Sequence, residues 1–314
     1  MAKLPEPGSS VLVEVPATTA NLGPGFDTLG MALTIHDSLV ATVVGKQGVT
    51  VRVSGVGSED LPTDESNLIA RSMRHAFEFK NVAMPGIELD ARNVIPHGRG
   101  LGSSGAAIVS GVMAAKGLLT GIADFSSDEL LGLATEIEGH PDNIAPSLFG
   151  GLTIAWMTDS GPKHKKLSVH RGVSLVVAVP RTSIMSTKLA RSLQPETVPH
   201  QDAIFNVSRS ALLIAALIQS PELLFEATED RLHQDYRASA MQDTDSLLRT
   251  LRSEGYAAVV SGAGPSVLVL CSDPGQRLEV SRLTEKHRKG SWETHMLTVD
   301  ERGATVENVP NIAK

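Results

Sequence analysis

Pro96-His97-Gly98-Arg99-Gly100-Leu101-Gly102-Ser103-Ser104-Gly105-Ala106 sets four glycines and two serines just ahead of the apolar, small-residue run Ala106 to Leu119. A strand, a glycine-rich turn and a helix beginning at serines would offer free backbone N–H groups and the positive end of a helix dipole to an anion. Phosphate is the obvious guest. Glycines suit such a loop because a side chain would block the approach of backbone to phosphate oxygens, and because some of these positions call for positive φ. The serines add hydroxyl donors, or an oxygen ligand for Mg²⁺.

Two other phosphate motifs compete for the same residues. The Walker form ends in Gly-Lys-Ser/Thr, and no lysine precedes Ser103. Gly100 to Gly105 does match G-x-G-x-x-G, and Asp124 follows at dinucleotide-fold distance, which would suggest a NAD(P) oxidoreductase. Against that, Thr120 to Ser127 is turn-like and Asp128 opens another helix, so the strand required after the first helix is missing. A plain tight turn packed against a helix is the unspecific alternative.

Outward from the loop, Ile87 to Ala91 reads as a strand before it and Asp128 to Glu138 as an amphipathic helix after it. Val11 to Val15, Leu39 to Val44 and Val49 to Val53 are β-branched or alternating runs and predict strands. Between them and the loop, Asn67 to Phe79 carries a helical stripe that Ser66 is placed to cap. Gly150 to Met157 is a further strand. The polar stretch Thr158 to Lys166 is the expected boundary, dividing a nucleotide-binding domain, 1–165, from a second domain, 166–314. In the second, Val173 to Val179 suits a buried strand, Gln201 to Ile218 and Ala238 to Ser253 read as helices, and Tyr256 to Val260 and Val267 to Leu270 flank the loop SGAGPS. A last helix and strand end near Leu297. The class is α+β or mixed α/β, in two halves.

The 314 residues include 41% hydrophobic side chains and 35 acidic against 28 basic ones, a net charge of -7. That balance supplies no broad basic surface for nucleic acid and favours a small-molecule partner. Cys271 is the single cysteine, which excludes an internal disulfide and a cysteine zinc site and fits a reducing compartment. The N-terminus MAKLPEPGSS has no apolar signal core, and no apolar run of about 18 residues occurs elsewhere. We expect a cytoplasmic protein without a membrane partner.

Ile95 to Ala106 resembles, in register, the phosphate-binding motif of the GHMP kinases, the superfamily of galactokinases, homoserine kinases, mevalonate kinases and phosphomevalonate kinases. Two more motifs flank it in the same order, Pro16 to Asp27 (PATTANLGPGFD) and Ser261 to Ser266 (SGAGPS). The first is similar to homoserine kinases and unlike the opening of mevalonate kinases or galactokinases. The segments Glu138 to Pro146 (EGHPDNIAP), Ser186 to Arg191 (STKLAR) and Leu232 to Arg237 (LHQDYR) agree with that branch. The resemblance implies an N-terminal domain like ribosomal protein S5 domain 2, a ferredoxin-like C-terminal domain, and an active site between them. It also implies a homodimer and ATP-dependent phosphorylation of the side-chain hydroxyl of L-homoserine, on the path to threonine. Another small alcohol as substrate, or a non-catalytic binder on the same fold, are the alternatives.

Residue by residue, the resemblance puts the nucleotide cradle at Pro96 to Ala106, with Ser104 the Mg²⁺ ligand of the two serines. A carboxylate should complete that site; Glu136 and Glu138 are available on opposite faces, and Glu138 adjoins the motif. Asn67, at the head of its helix, is a candidate adenine contact. On the substrate side, Arg191 and Arg237 match carboxylate-binding arginines, and Asp27 matches the acceptor of the ammonium. Asn21, His140, Asn143 and Gly264 match further contacts. Thr187 matches a threonine beside the transferring phosphate. Asp142 matches the general base of mevalonate kinases, though in homoserine kinases positioning and electrostatics can serve without one. The side chains of His97, Arg99, His200 and His233 are assigned no chemistry, and none has metal-ligand spacing.

Overall fold

The computed structural model describes residues 4–309. Strands β1 (Ser10–Ala20), β2 (Leu29–Val44), β3 (Val49–Gly55) and β4 (Gly86–Asn93) form the heart of the first sheet, with helix α1 (Leu68–Phe79) between β3 and β4. Val11, Val13 and Val15 alternate inward along β1, as a strand covered on one face requires. The sixteen-residue β2 pairs with β1 on one edge and with two strands on the other: Ser38 to Val44 with β4, and Leu29 to Met31 with β5 (Leu152–Thr158). Helices α2 (Ser103–Leu118), α3 (Ser127–Glu138) and α4 (Ile144–Phe149) lie between β4 and β5 in sequence, and α2 packs on β1 and against α1. Because α2 runs into α3 with no intervening strand, the dinucleotide-fold reading of Gly100 to Gly105 is set aside.

The polar stretch expected as a boundary is instead strand β6 (Gly161–Leu167), antiparallel to β5, so a division at 165/166 falls inside it. Its three lysines and proline misled the sequence reading. They suit an edge strand, whose open side charged residues protect from pairing with other chains. The second sheet has the order β10-β7-β9-β8, from β7 (Ser174–Pro180), β8 (Ala257–Val260), β9 (Val267–Cys271) and β10 (Trp292–Leu297). Along β7, Leu175, Val177 and Val179 join the main core, while Val176 and Ala178 pack with Leu247 and Val280 on the other side. Helices α5 (Thr187–Ser192), α6 (His200–Ile218), α7 (Leu224–Ala227), α8 (Gln234–Arg237), α9 (Gln242–Ser253) and α10 (Pro274–Lys286) complete this half. Beyond the strand expected to be last, β11 (Thr305–Val309) returns to the first sheet and pairs with β1.

Among the described residues, α6 alone is long and apolar enough to cross a membrane. Its Asn206, Leu213, Ala216 and Leu217 are buried in the protein, and Arg209 is paired with Glu229. The cap of α1 also differs from expectation: Asn67 Oδ1 accepts from the Ile69 N–H at 3.0 Å, and Ser66 turns to Asp64.

Candidate active site

Six connections converge where the two sheets meet: residues 21–28 between β1 and β2, 94–102 before α2, 139–143 before α4, 181–186 before α5, the block at α8, and the turn 261–266. They enclose a cavity of about 210 Å³. Asn21, Asp27, Gly98, Arg99, Gly100, Gly102, Ser103, Ser104, Glu138, His140, Asp142, Asn143, Thr187, Arg191 and Arg237 all line it, so most of the residues singled out from sequence are brought together.

The glycine loop has the geometry its composition demands. Gly98, Gly100 and Gly102 adopt φ of 63°, 69° and 69°, the left-handed region that glycine enters without steric cost. A Cβ on Gly100 would run into the Ser261 carbonyl oxygen, and one on Gly102 into Thr18 Oγ1. Gly102 is the N-cap of the sixteen-residue α2 and no side chain caps that end, so the first-turn N–H groups stay available to an anion. The loop is held from outside. Ser261 Oγ donates to the Gly100 carbonyl at 2.6 Å, Arg99 donates to the carbonyls of Pro180 and Arg181 at 2.6 and 2.7 Å, and the Met185 N–H donates to the Gly98 carbonyl.

Ser104, in the first turn of α2, donates to Glu138 Oε2 at 2.9 Å. Burial pushes the Glu138 carboxyl above the ordinary carboxylate range; Ser104 and His140 oppose that rise and Asp142 adds to it. A half-buried carboxyl held in this way beside a hydroxyl is a pair of hard oxygen donors, which fits Mg²⁺. Glu136 points elsewhere, to His75 Nε2 at 2.9 Å on the surface.

Asp142 is buried on the cavity floor, where its Oδ1 accepts from His140 Nδ1 at 2.5 Å and from the Asn143 N–H at 3.0 Å. That bond holds the His140 imidazole above its ordinary pKa, against the opposing effect of burial. Asn143 Oδ1 accepts from Thr18 Oγ1 at 2.8 Å, tying the floor to β1. Thr187 is the first residue of α5, whose N-cap Ser186 accepts from the Leu189 N–H. Across the cleft, Arg191 makes a two-pronged ion pair with Asp27, both N–O distances 2.9 Å. Arg237 is buried and donates to the Gly262 carbonyl at 3.2 Å; burial lowers its pKa, opposed chiefly by Asp27.

Some expectations are corrected. Gly264 does not face the cavity; Gly262 and Ala263 do, while Gly264 packs on Met241 and donates to the Ser261 carbonyl at 2.8 Å. Leu101, Gly105 and Ala106 are buried behind the cradle, and Pro96 shapes the entry to it without lining it. Asn67 and His97 line a second, more apolar cavity of about 230 Å³ that shares Ser103 and Ser104 with the first. Its walls include Leu39, Val53, Leu68 and Ala91, which in sequence read as ordinary core positions. Sequence reasoning also missed Asp37, whose Oδ1 accepts from the N–H groups of Val94 and Ile95 at 2.6 and 2.9 Å and so anchors the entry to the glycine loop.

Two family models match the chain, the GHMP kinases N terminal domain over residues 67–151 and the GHMP kinases C terminal domain over residues 212–286. The chain belongs to the GHMP kinase family. Homoserine kinase of Leifsonia xyli subsp. xyli is 64% identical over 302 residues, 96% of this chain and 93% of that one. Homoserine kinase of Clavibacter michiganensis subsp. michiganensis is 65% identical, covering 96% and 95%. The crystal structure of homoserine kinase from Cytophaga hutchinsonii superposes with a TM-score of 0.85 at 27% identity, covering 95% and 97%. A mevalonate kinase structure at 13% identity and a TM-score of 0.68 shares the fold. Within the family, the chain is a homoserine kinase.

Proposed function

We propose that the cleft moves the γ-phosphoryl group of ATP to the side-chain hydroxyl of L-homoserine, giving ADP and O-phospho-L-homoserine. The observation that carries this reading is the single cavity joining a helix N-terminal phosphate cradle to a set of groups matched to a zwitterion. Phosphoryl transfer needs charge stabilisation, in-line positioning and an exit for the hydroxyl proton. The first-turn N–H groups of α2 and the loop Gly98 to Gly102 hold the phosphates, and the apolar cavity past Ser103 and Ser104 takes the adenosine, with Asn67 at its wall. Ser104 and Glu138 would hold Mg²⁺, which neutralises phosphate charge when bound. Asp27 receives the ammonium of homoserine, and Arg191 and Arg237 receive the carboxylate. The zwitterion thus replaces the Asp27–Arg191 pair with two pairs of its own. Asn21 braces Asp27, since its Oδ1 accepts the Asp27 N–H at 3.0 Å. Asp142 keeps Oδ2 free of hydrogen bonds among the described residues, which suits it to receive the hydroxyl, as a base or as an orienting acceptor. His140, Asn143 and Thr187 complete the ring around the reacting atoms.

The test is turnover of purified protein with MgATP and a panel of amino-acid alcohols, sugars and mevalonate, the product being identified by phosphorus NMR. Homoserine inert beside a productive sugar or mevalonate would falsify the substrate assignment. A homodimer and a cytoplasmic location belong to the same proposal, the first tested by sedimentation and the second by cell fractionation.

A further inference from the structure

The loop that carries Asn21 and Asp27 is held partly by its own bonds, among them Asp27 N–H to Asn21 Oδ1, and partly by the C-terminal half. Asn21, Leu22 and Asp27 have φ of 71°, 50° and 53°; Asn and Asp tolerate this left-handed region, whereas Leu22 enters it at a steric cost that its surroundings must offset. Within the loop, Gly25 N–H donates to the Asn21 carbonyl, but the carbonyls of Gly23 and Pro24 turn outward into the C-terminal half. There Asn206 Nδ2 and Ser210 Oγ donate to the Pro24 carbonyl at 3.1 and 2.5 Å, and His233 Nε2 meets the Gly23 carbonyl at 2.7 Å. The fit is close: a Cβ on Gly23 would sit 2.7 Å from the Thr228 carbonyl oxygen.

His233 makes two of these contacts at once. Its ring stacks on Phe26, the neighbour of Asp27, with centroids 4.8 Å apart and 15° between planes, and Arg237 lies over the same Phe26 ring at 5.2 Å. The side chain is fully buried, and Nδ1 has no partner among the described residues. A carbonyl can only accept, so Nε2 carries the hydrogen. Protonating Nδ1 would bury an unpaired donor, and burial holds the imidazole below its ordinary pKa. The nearby Asp230, with Oδ2 3.7 Å from Nε2, opposes that effect only in part and gives Nδ1 no partner. Its oxygens are committed to the backbone N–H groups of Leu232, His233 and Gln234.

We propose that His233, as the neutral Nε2–H tautomer, is a positioning residue for substrate: its hydrogen bond to the Gly23 carbonyl and its stacking on Phe26 fix the loop that presents Asp27 to the amino acid. The inference rests on the reading above that Asp27 receives the ammonium. The nucleotide cradle is clamped by other groups, Ser261 and Arg99, so loosening the His233 clamp affects one substrate only.

The experiment measures homoserine KM, ATP KM and kcat for wild type, Asp27→Asn, His233→Ala, His233→Phe and His233→Gln, with Tm for each. Gln carries a donor at about the position of Nε2, whereas Phe keeps the stacking face and strands the Gly23 carbonyl. His233→Phe and His233→Ala are expected to raise the homoserine KM by about tenfold, the scale of one lost buried hydrogen bond, with ATP KM within about twofold. His233→Gln should recover most of that. A lowered Tm with homoserine KM unchanged in Phe and Ala, equal rises for both substrates, or Gln as impaired as Phe would each overturn the proposal. Should Ala not fold, the contrast between Phe and Gln decides alone. If Asp27→Asn itself leaves homoserine KM unchanged, the ammonium assignment fails; if it raises KM while the His233 variants do not, only this inference fails.

Discussion

Replacing Asp27 by Asn removes one negative charge while keeping the size and hydrogen-bonding reach of the side chain. In the free protein that charge is engaged with the Arg191 fork, but the two side chains are 39% and 41% exposed. Exposed pairs of this kind contribute about 0.2 to 1 kcal/mol, so Tm should barely move. If the carboxylate receives the ammonium as proposed and the pair is desolvated by substrate, losing one partner costs about 2 to 5 kcal/mol. The variant recovers part of this, because it has no strong fork to break before substrate enters. Setting at most about 1 kcal/mol against 2 to 5 leaves about 1 to 4 kcal/mol. That corresponds to a fall in kcat/KM for homoserine of about fivefold to about a thousandfold. The contact forms before chemistry and persists through it, so the loss should sit in KM rather than kcat. Steady-state kinetics with each substrate varied at saturating co-substrate reads this directly. The reasoning is refuted by an unchanged homoserine KM, or by an equal defect for ATP, either of which would make Asp27 a brace for the loop.

Glu138→Gln keeps an acceptor for Ser104 and removes the charge, so kcat should fall by about 10²-fold or more, whereas Glu136→Gln, out at His75, should retain wild-type turnover. The reverse ranking in a turnover assay would reject the metal-ligand assignment. For Asp142→Asn, a base predicts a loss of about 10² to 10⁴ in kcat and an orienting acceptor less than about tenfold, with magnesium dependence unchanged in either case. His140 is held above its ordinary pKa chiefly by Asp142, so the folded state binds its proton more tightly than the unfolded chain does. The stability from this pair is therefore full below about pH 6.5, and it is lost as pH rises through the folded-state value above that. The Tm difference between wild type and His140→Asn should accordingly shrink from about pH 6 to about pH 9, and a gap that widens would contradict the pairing.

Most long elements were legible because their periodicity is strong: β1, β3 and β4 alternate, and α1 and α9 carry clear apolar stripes. The misses share a physical reason. The lysine-rich edge strand β6 and the short β11 bury little, and α4 and α5 have six residues each, too few for a helical stripe. In the candidate site, the geometry of the glycine loop was readable since it lies in one contiguous stretch whose glycines call for positive φ ahead of the helix. The substrate side depended on resemblance, because its contacts join residues far apart in sequence. Asp27 and Arg191 are 164 positions apart, and Asn21 and Gly262 are 241. The apolar cavity beside Asn67 and His97 left no signal, since Leu39, Val53 and Ala91 obey the same inward alternation as any core strand residue.

The two functional loops of the N-terminal half are each finished by backbone and side chains of the C-terminal half. Gly100 abuts the Ser261 carbonyl and receives the Ser261 hydroxyl, while Gly23 abuts the Thr228 carbonyl and receives His233. A glycine at each contact lets two backbones approach more closely than a Cβ would permit, so the fit is set by main chain and transmits small shifts directly. The clamps differ in part: Ser261 holds the glycine loop, and His233, Asn206 and Ser210 hold the Gly23–Pro24 backbone, while the turn 261–266 also meets Asn21 through the Gly262 carbonyl at 2.8 Å. On the proposed substrate assignment, the residues that fix Asp27 and those that fix the glycine loop are largely separate, which is why changes at Asp27 or His233 should move one KM and leave the other.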